Sequence, residues 1–544
     1  MKKIFLCGVI CSQLLISCKN SGNNNIDSEK KSKKITARNY SINASNAYSD
    51  LFLDSNAVEK FIVEKKIPDS ISRRIRSFYN SRNFQFAWFC SDGFTEQGRG
   101  FWNLHNNYTF SSEDTTPDNK GLKKKMDNLI TEDTISPSAK DKTFINTEIQ
   151  LTSQFIRHTL SAYKDDYVKR KEMERFVPAT KQDGIYYADS LLKKKHKDDK
   201  YYEDVNPSYG LLKDQLAVYY EIQKKGGWPL ITVKKKNLKK GMGVPEIALI
   251  KKRLQLTGDM PQADTSQVFT DTLEQGVKKF QHRHGLRTDG IVTETTLKEM
   301  NVPAAHRIQQ LLINMDRMRW LPVQPEGDLL LVNIPAFTLH ALEGNKKIFD
   351  MNVVVGKDGH DTRIFTGNLN QVVFSPYWNV PPSIVQKEIV PAIQKDPGYL
   401  ESHNMEMTGE NNGLPEIRQK PGGDNALGKV KFLFPNSFNI YFHDTPSKSL
   451  FASNRRAFSH GCIRLSDPER MANYLLRNNT EWDAAKINEA MNSGEEKFVK
   501  LKKPVPVLIT YYTAWVDEEG QLNFREDIYG HDAQLTKKMF TRIL

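Results

Sequence analysis

Cysteine is scarce, with five in 544 residues. Together with the length, this excludes a small disulfide-stapled scaffold. After residue 20 no segment approaches the ~20 uninterrupted apolar residues that a membrane-spanning helix needs. Helix-turn-helix, zinc-finger and RNP-type patterns are missing, and so is any HExxH metal motif. With 38% apolar and 26% charged residues, the chain reads as a soluble globular protein, not a collagen, a coiled coil or a multi-span membrane protein. Its net charge of +13 comes from lysines scattered through every region. That pattern suits an anionic polymer as partner better than nucleic acid. The length allows about three or four domains at ~150 residues each.

The first 20 residues are organised differently from the rest. Lys2 and Lys3 precede a short apolar run, Ile4 to Ile16, as in a secretory signal. Leu15-Ile16-Ser17-Cys18 resembles a bacterial lipobox, which implies cleavage before Cys18, lipidation of that residue and a membrane anchor. The expected location is the cell envelope, facing the periplasm, with Lys19 after the lipidated residue favouring the outer membrane. Cleavage also removes Cys7 and Cys11, leaving Cys90 and Cys462 as the thiols of the folded part.

Residues 18–45, rich in Asn, Ser and Lys, are expected to be a flexible tether. Residues 46–237 carry mixed helical patterns and an aromatic run, Phe84 to Phe89, and read as a scaffold. Residues 238–302 place Ile247, Ile250, Leu254 and then Leu273, Val277, Phe280 at helical spacing. Gly285 suits a helix C′ position, Asp289-Gly290 a turn and Thr293 an N-cap. A linking helix is expected over 303–328, with Leu311, Met315 and Met318 in a core. From Leu329 short strands follow one another to about residue 516. Within them residues 395–426, polar and rich in Gly and Pro, read as an inserted loop or lid. Residues 517–544 are left as a C-terminal tail. The expected fold class is multidomain α+β.

The chemistry concentrates in residues 438–476. Phe438, Ile440 and Phe442 alternate with Asn439, Tyr441 and His443, as in a strand with one apolar face. Fifteen residues separate His443 from Ser459-His460-Gly461-Cys462-Ile463-Arg464. A helix follows, for which Ser466 and Glu469 fit a capping box and Pro468 the first turn. A thiol attacks as thiolate, and a nearby imidazole can take its proton. Gly461, lacking a side chain, would let backbone N–H groups beside Cys462 approach a developing oxyanion. Arg464, two residues on and on the same face, can grip a carboxylate with two hydrogen bonds. A structural thiol, a disulfide to Cys90, or a zinc site of His443, His460 and Cys462 are the bland alternatives. The cluster of two histidines and a glycine around one cysteine favours the nucleophile.

The string "H-x(15)-SHGC-x-R" resembles the L,D-transpeptidase signature. Asn314 to Trp320, Tyr377-Trp378-Asn379-Val380-Pro381, Asn425-Ala426-Leu427-Gly428 and His443-Asp444-Thr445-Pro446 resemble the long, YcbB-like subclass. The run from Phe280 to Val292 is similar to the type 1 peptidoglycan-binding domain, a three-helix module. The resemblance implies a YkuD-type β-sandwich with a capping insertion. It implies a cysteinyl thioester formed on a peptidoglycan stem tetrapeptide with loss of D-alanine, then a 3→3 cross-link. Cys462 is the implied nucleophile and carbapenem target, and His443 the general base. The backbone of Gly461 and Cys462 is implied to line the oxyanion hole, with His460 and Ser459 in support. The Asp444 carbonyl orients a ring, and Arg464, Tyr377 and Trp378 meet substrate. No cofactor or metal is implied, and the protein is expected to act as a monomer on peptidoglycan stem peptides and glycan. An L,D-carboxypeptidase and a non-catalytic wall-binding lipoprotein are the competing functions.

Overall fold

The computed structural model describes residues 35–112, 117–131, 135–162, 177–193, 207–261, 264–320, 327–344 and 346–541. The expected signal segment, the lipidation site Cys18 and residues 18–34 of the tether lie outside the described residues.

The N-terminal half is helical: α1 (Ser55–Glu64), α2 (Asp69–Ser81), α3 (Glu96–Ser112), α4 (Pro117–Thr131), α5 (Lys142–Ala162), α6 (Gly184–Lys193) and α7 (Pro207–Lys224). The aromatic run sits at its centre. Phe86, Ala87, Trp88 and Phe89 are all fully buried, and Trp88 lies against Phe101 and Phe155. Burying one such ring contributes roughly 1.5–3 kcal/mol. The peptides at 87 and 88 lie too deep for water, and the Glu148 carboxylate accepts both N–H groups at 2.7 and 3.0 Å. Two boundaries differ from expectation. Residues 35–45 are not all tether: Ile42 is buried, and Asn39 N donates to the Asn80 carbonyl. The expected linking helix, α11 (Ala304–Met318), buries polar and apolar faces alike and is the axis of this helical core. Its Arg317 pairs with Glu96 of α3 and Asp532, both at 2.5 Å. The expected tail is folded as well. Leu522–Phe524 pairs with Ala514–Val516, and α14 (His531–Met539) buries Leu535 and Met539 in the same core. Each departure has one cause: a few apolar residues close a core formed elsewhere in the chain, a match that local periodicity cannot register.

Between the two halves stands a three-helix module, α8 (Glu246–Leu256), α9 (Asp271–Arg283) and α10 (Glu294–Met300). Ile247, Ile250, Leu254, Leu273, Val277 and Phe280 fill its own core. Thr293 caps α10 by accepting from Thr296 N, and Gly285 follows α9 at φ +66°.

The second half is built on one sheet. Its strands are β1 (Asp328–Asn333), β2 (Thr338–Glu343), β3 (Lys346–Gly356) and β4 (Thr366–Phe374); then, past the insertion, β8 (Val430–Leu433), β9 (Phe442–His443), β10 (Ala457–Ser459), β11 (Ile463–Leu465) and β12 (Lys497–Thr510). The order is β10-β3-β11-β9-β8-β4-β12-β1-β2, and β2 also pairs with β3. The sandwich implied by the resemblance is thus one hydrogen-bonded sheet closed on itself. Closure leaves an inner face of Val353, Val355, Leu369, Val372, Phe432, Phe442, Ile463 and Leu465, all buried. Two helices, α12 (Pro468–Leu476) and α13 (Ala484–Asn492), cover one side. The cap of α12 is Asp467, which accepts from Arg470 N, and not Ser466. Pro468 holds the first helical position, so the residue just before it is the cap. Ser466 N instead donates to the Asn352 carbonyl.

The expected lid is more than a loop. Between β4 and β8, the strands β5 (Trp378–Asn379), β6 (Met405–Asn411) and β7 (Leu414–Gln419) form a separate antiparallel sheet, and helical turns fill residues 382–402. Val380, Val385, Ile389 and Ile417 give it a small core of its own.

Candidate active site

Parallel pairing of β9 with β11 sets Phe442 against Ile463 and His443 against Arg464. Ile463 N also donates to the Tyr441 carbonyl at 3.2 Å. Because side chains alternate along a strand, Phe442, Ile463 and Leu465 point into the closed sheet. Tyr441 and His443 then share the outer face with Cys462 and Arg464. Four chemically useful side chains meet in a two-by-two patch, with His443 diagonal to Cys462.

Cys462 is half-buried, and its thiol donates to the Asn439 carbonyl at 3.7 Å. Burial pushes the thiol up, partly offset by the Tyr441 contacts and the Arg464 charge. Burial, and then Cys462 itself, push the Tyr441 phenol up, so it stays protonated and able to donate to sulfur. Cys462 and Cys90 are both free thiols, and Cys90 is buried far along the chain with its pKa pushed up to about 11 by burial.

His443 is 4% exposed, and its Nδ1 lies 2.5 Å from the Asp444 carbonyl. A carbonyl cannot donate, so Nδ1 carries the hydrogen and Nε2 keeps its lone pair. Burial, with the Arg464 charge beside it, lowers the ring to about 3. His443 is therefore neutral across the physiological range. The Asp444 carboxylate does a separate job: it accepts from Lys429 N, Thr445 N and Lys448 Nζ. Gly428 makes room for it. With φ +62°, a Cβ there would fall 2.4 Å from the carboxyl carbon. The Asn425-Ala426-Leu427-Gly428 motif thus shapes the turn that seats Asp444.

The turn that carries Cys462 is pinned from both sides. Ser459 Oγ accepts from Gly461 N at 3.2 Å and donates to the Cys462 carbonyl at 2.6 Å. Thr362 Oγ1 donates to the Gly461 carbonyl at 2.8 Å. Gly461 has φ +111°, which L side chains rarely adopt, while its nearest obstacle to a Cβ is 3.8 Å away. Glycine is required there for backbone shape and not for space. Gly461 N donates to Ser459 Oγ in this structure. The Cys462 N–H has no acceptor among the described residues.

His460 stands apart from this patch. It is exposed, its Nε2 lies 3.1 Å from Glu388 of the insertion, and its ring meets His360 edge-on. It connects the turn that carries Cys462 to the insertion. Arg464 is in no ion pair with a described carboxylate, and its Nε is buried without an acceptor. Tyr377 and Trp378 belong to the insertion: the Arg418 guanidinium lies over Tyr377, and Trp378 pairs with Gln419. Among the described residues no three His, Cys, Asp or Glu side chains are grouped as metal ligands. Sequence reasoning missed Tyr441 as a neighbour of the thiol, although its two-residue spacing from His443 contained that information. It also missed Thr362 and Glu388, for which the sequence carries no local signal.

Residues 327–507 match the model of the L,D-transpeptidase catalytic domain, 73–216 a scaffold domain, and 244–300 the "Putative peptidoglycan binding domain". A curated relative from Haemophilus influenzae, named "Putative L,D-transpeptidase", is 31% identical over 255 residues, or 44% of this chain. This chain spans about half of that relative's length, 50%. Solved structures that are similar include an L,D-transpeptidase from Mycobacterium smegmatis (14% identity, 34% of this chain and 58% of that one, TM-score 0.20). Others are residues 123–326 of the L,D-transpeptidase from Xylanimonas cellulosilytica (15%, 51% and 100%, TM-score 0.17) and one from Stackebrandtia nassauensis (14%, 51% and 97%, TM-score 0.22). The Cys–His patch lies inside residues 327–507, the part of the chain that matches the model of the L,D-transpeptidase catalytic domain.

Proposed function

We propose that the protein is an envelope-anchored L,D-transpeptidase that forms 3→3 cross-links in peptidoglycan. The observation that carries the reading is the shared outer face of β9 and β11. It sets a neutral His443, its Nε2 lone pair free, beside a turn that presents the Cys462 thiol.

The reaction balances without a cofactor. The Cys462 sulfur attacks the carbonyl of the third residue of a donor stem tetrapeptide as the thiol proton passes to His443 Nε2. The Cys462 N–H and the Tyr441 hydroxyl stand where negative charge develops. The bond to D-alanine breaks, and its nitrogen takes the proton from His443, leaving a thioester. The side-chain amine of a second stem then attacks the thioester, gives its proton to His443, and the thiol is restored. Arg464, with its unmet Nε, binds a substrate carboxylate. The insertion, joined to the nucleophile turn through His460 and Glu388, closes over the donor. The three-helix module holds the wall, and a lipid on Cys18 holds the membrane.

The test is incubation of the purified protein with disaccharide-tetrapeptide, read by muropeptide analysis. A 3→3 dimer that disappears in Cys462→Ala is expected. Tripeptide with free D-alanine and no dimer would mean that water resolves the thioester and the protein is a carboxypeptidase. No product and no β-lactam adduct on Cys462 would leave a wall-binding protein without catalysis.

A further inference from the structure

Lys431 stands on β8 directly opposite His443 of β9. Partners in register share one face of a sheet. Lys431, His443 and Arg464 therefore form a row on the outer face, with the imidazole in the middle. Val430 and Phe432, on either side of Lys431, point into the closed sheet. Only 14% of the Lys431 side chain is exposed, so its ammonium needs partners within the protein. Nζ donates to the Tyr377 carbonyl at 3.1 Å and lies 3.5 Å from Glu496 Oε1. The same Glu496 oxygen accepts from Tyr377 N at 3.0 Å. The pair thus takes both backbone polar groups of one residue. Tyr377 lies just past the end of β4, where the chain enters the insertion. The neighbouring Pro376 carbonyl accepts from Asn425 Nδ2 at 3.1 Å, and Asn425 Nδ2 also donates to the Lys420 carbonyl at 2.9 Å on the returning segment.

We propose that Lys431 is a positioning residue: with Glu496 it clamps the root of the insertion at Tyr377, beside His443, and so fixes the insertion relative to the Cys–His patch. Asn425 ties the outgoing and returning segments to each other, and the Lys431–Glu496 pair ties them to the catalytic sheet. The insertion has a core of its own, so it holds its shape and shifts, when released, as a unit about this root. The other tether, His460 to Glu388, has side chains 32% and 53% exposed, and solvent and salt screen it. The Lys431–Glu496 pair, 14% and 20% exposed, is the better shielded of the two. Lys431 acts through the Tyr377 backbone and not on a reacting atom. Its effect on donor binding rests on the function proposed above, while the clamp itself rests on the contacts alone.

The experiment uses the full chain and has two arms. The first is hydrogen–deuterium exchange without substrate. In Lys431→Met, exchange over residues 376–428 is expected to quicken about tenfold or more, while the closed sheet keeps its wild-type protection. Glu496→Gln is expected to act in the same direction, and the double variant to add little to either single one, since both act through one clamp. Lys431→Arg, which keeps the charge and the donors, is expected to restore most of the protection. The second arm is 3→3 dimer formation from disaccharide-tetrapeptide. Lys431→Met is expected to raise KM about tenfold and to change kcat less than about threefold, with KM largely recovered in Lys431→Arg. Exchange unchanged in both single variants, or quickened equally across the closed sheet, overturns the clamp. A fall in kcat at unchanged KM overturns the positioning role. Absence of dimer from the wild type would refute the function proposed above and leave the exchange arm to decide the clamp.

Discussion

Acylation of Cys462 is expected to be insensitive to acid over a range in which an ordinary Cys–His pair would lose activity. His443 is lowered to about 3 because it is buried and faces Arg464. That lies well below the ~6.5 of an ordinary imidazole, so the protonated ring is strongly disfavoured. At pH 5 an ordinary ring is only ~3% neutral, against ~75% at pH 7, a loss of about 25-fold in the base form. The His443 of this structure stays almost wholly in the base form at both values. The assay is the rate of imipenem adduct formation on the full chain, followed by intact mass between pH 5 and 8. The expected rate at pH 5 is within about twofold of that at pH 7. In His443→Ala the residual rate should instead fall tenfold per pH unit, following the thiolate fraction. Stability must be tracked in parallel. A histidine depressed in the folded state binds fewer protons there than in the unfolded chain, so its stabilisation is lost as pH falls from about 6.5 toward 3, at up to ~1.4 kcal/mol per pH unit. A wild-type acylation rate that drops about 20-fold with a midpoint between pH 6 and 7, in protein shown to remain folded, would refute the neutral-imidazole assignment.

Two further outcomes follow from single contacts. Ser459→Ala removes the hydroxyl that holds both Gly461 N and the Cys462 carbonyl. Adduct formation should slow by about 10- to 100-fold, because a small displacement of the nucleophile is enough for that, and Ser459→Thr should restore part of it; an unchanged rate would mean the turn holds itself. In the three-helix module the Arg283–Asp259 pair is doubly hydrogen-bonded and buried, with side chains 5% and 0% exposed. Asp259→Asn leaves a buried cation without its partner, and calorimetry should show a loss of roughly 3–5 kcal/mol in the module's transition. A change below about 1 kcal/mol would show that the pair adds nothing net.

Much of the site was legible because it is local. The Ser459-His460-Gly461-Cys462 run and the strand alternation around His443 both fall within short windows, and the period of two assigned Tyr441, His443, Cys462 and Arg464 to one side of their strands. The module was legible for the same reason: helical spacing, a Thr293 cap and a Gly285 stop all act within a turn or two. The cap of α12 was misplaced by one residue because Ser466 and Asp467 are both able caps, and only the hydrogen bond of Ser466 N to Asn352 across the sheet decides between them.

The sequence by itself determined the candidate nucleophile and base, the spacing between them, the helical and sheet halves, and the polar insertion, since each depends on neighbours along the chain. Only the tertiary structure decided what those residues face. Pairing of β9 with β11 made diagonal neighbours of His443 and Cys462 across 19 positions of sequence. Burial behind that pairing took the imidazole to about 3, and a threonine 99 residues away came to hold the Gly461 carbonyl. Residues 35–45 of the expected tether and 517–541 of the expected tail pack onto cores made elsewhere. Burial, register and a buried group's charge state are sums over contacts distant in sequence, and they take values only once the chain has closed on itself.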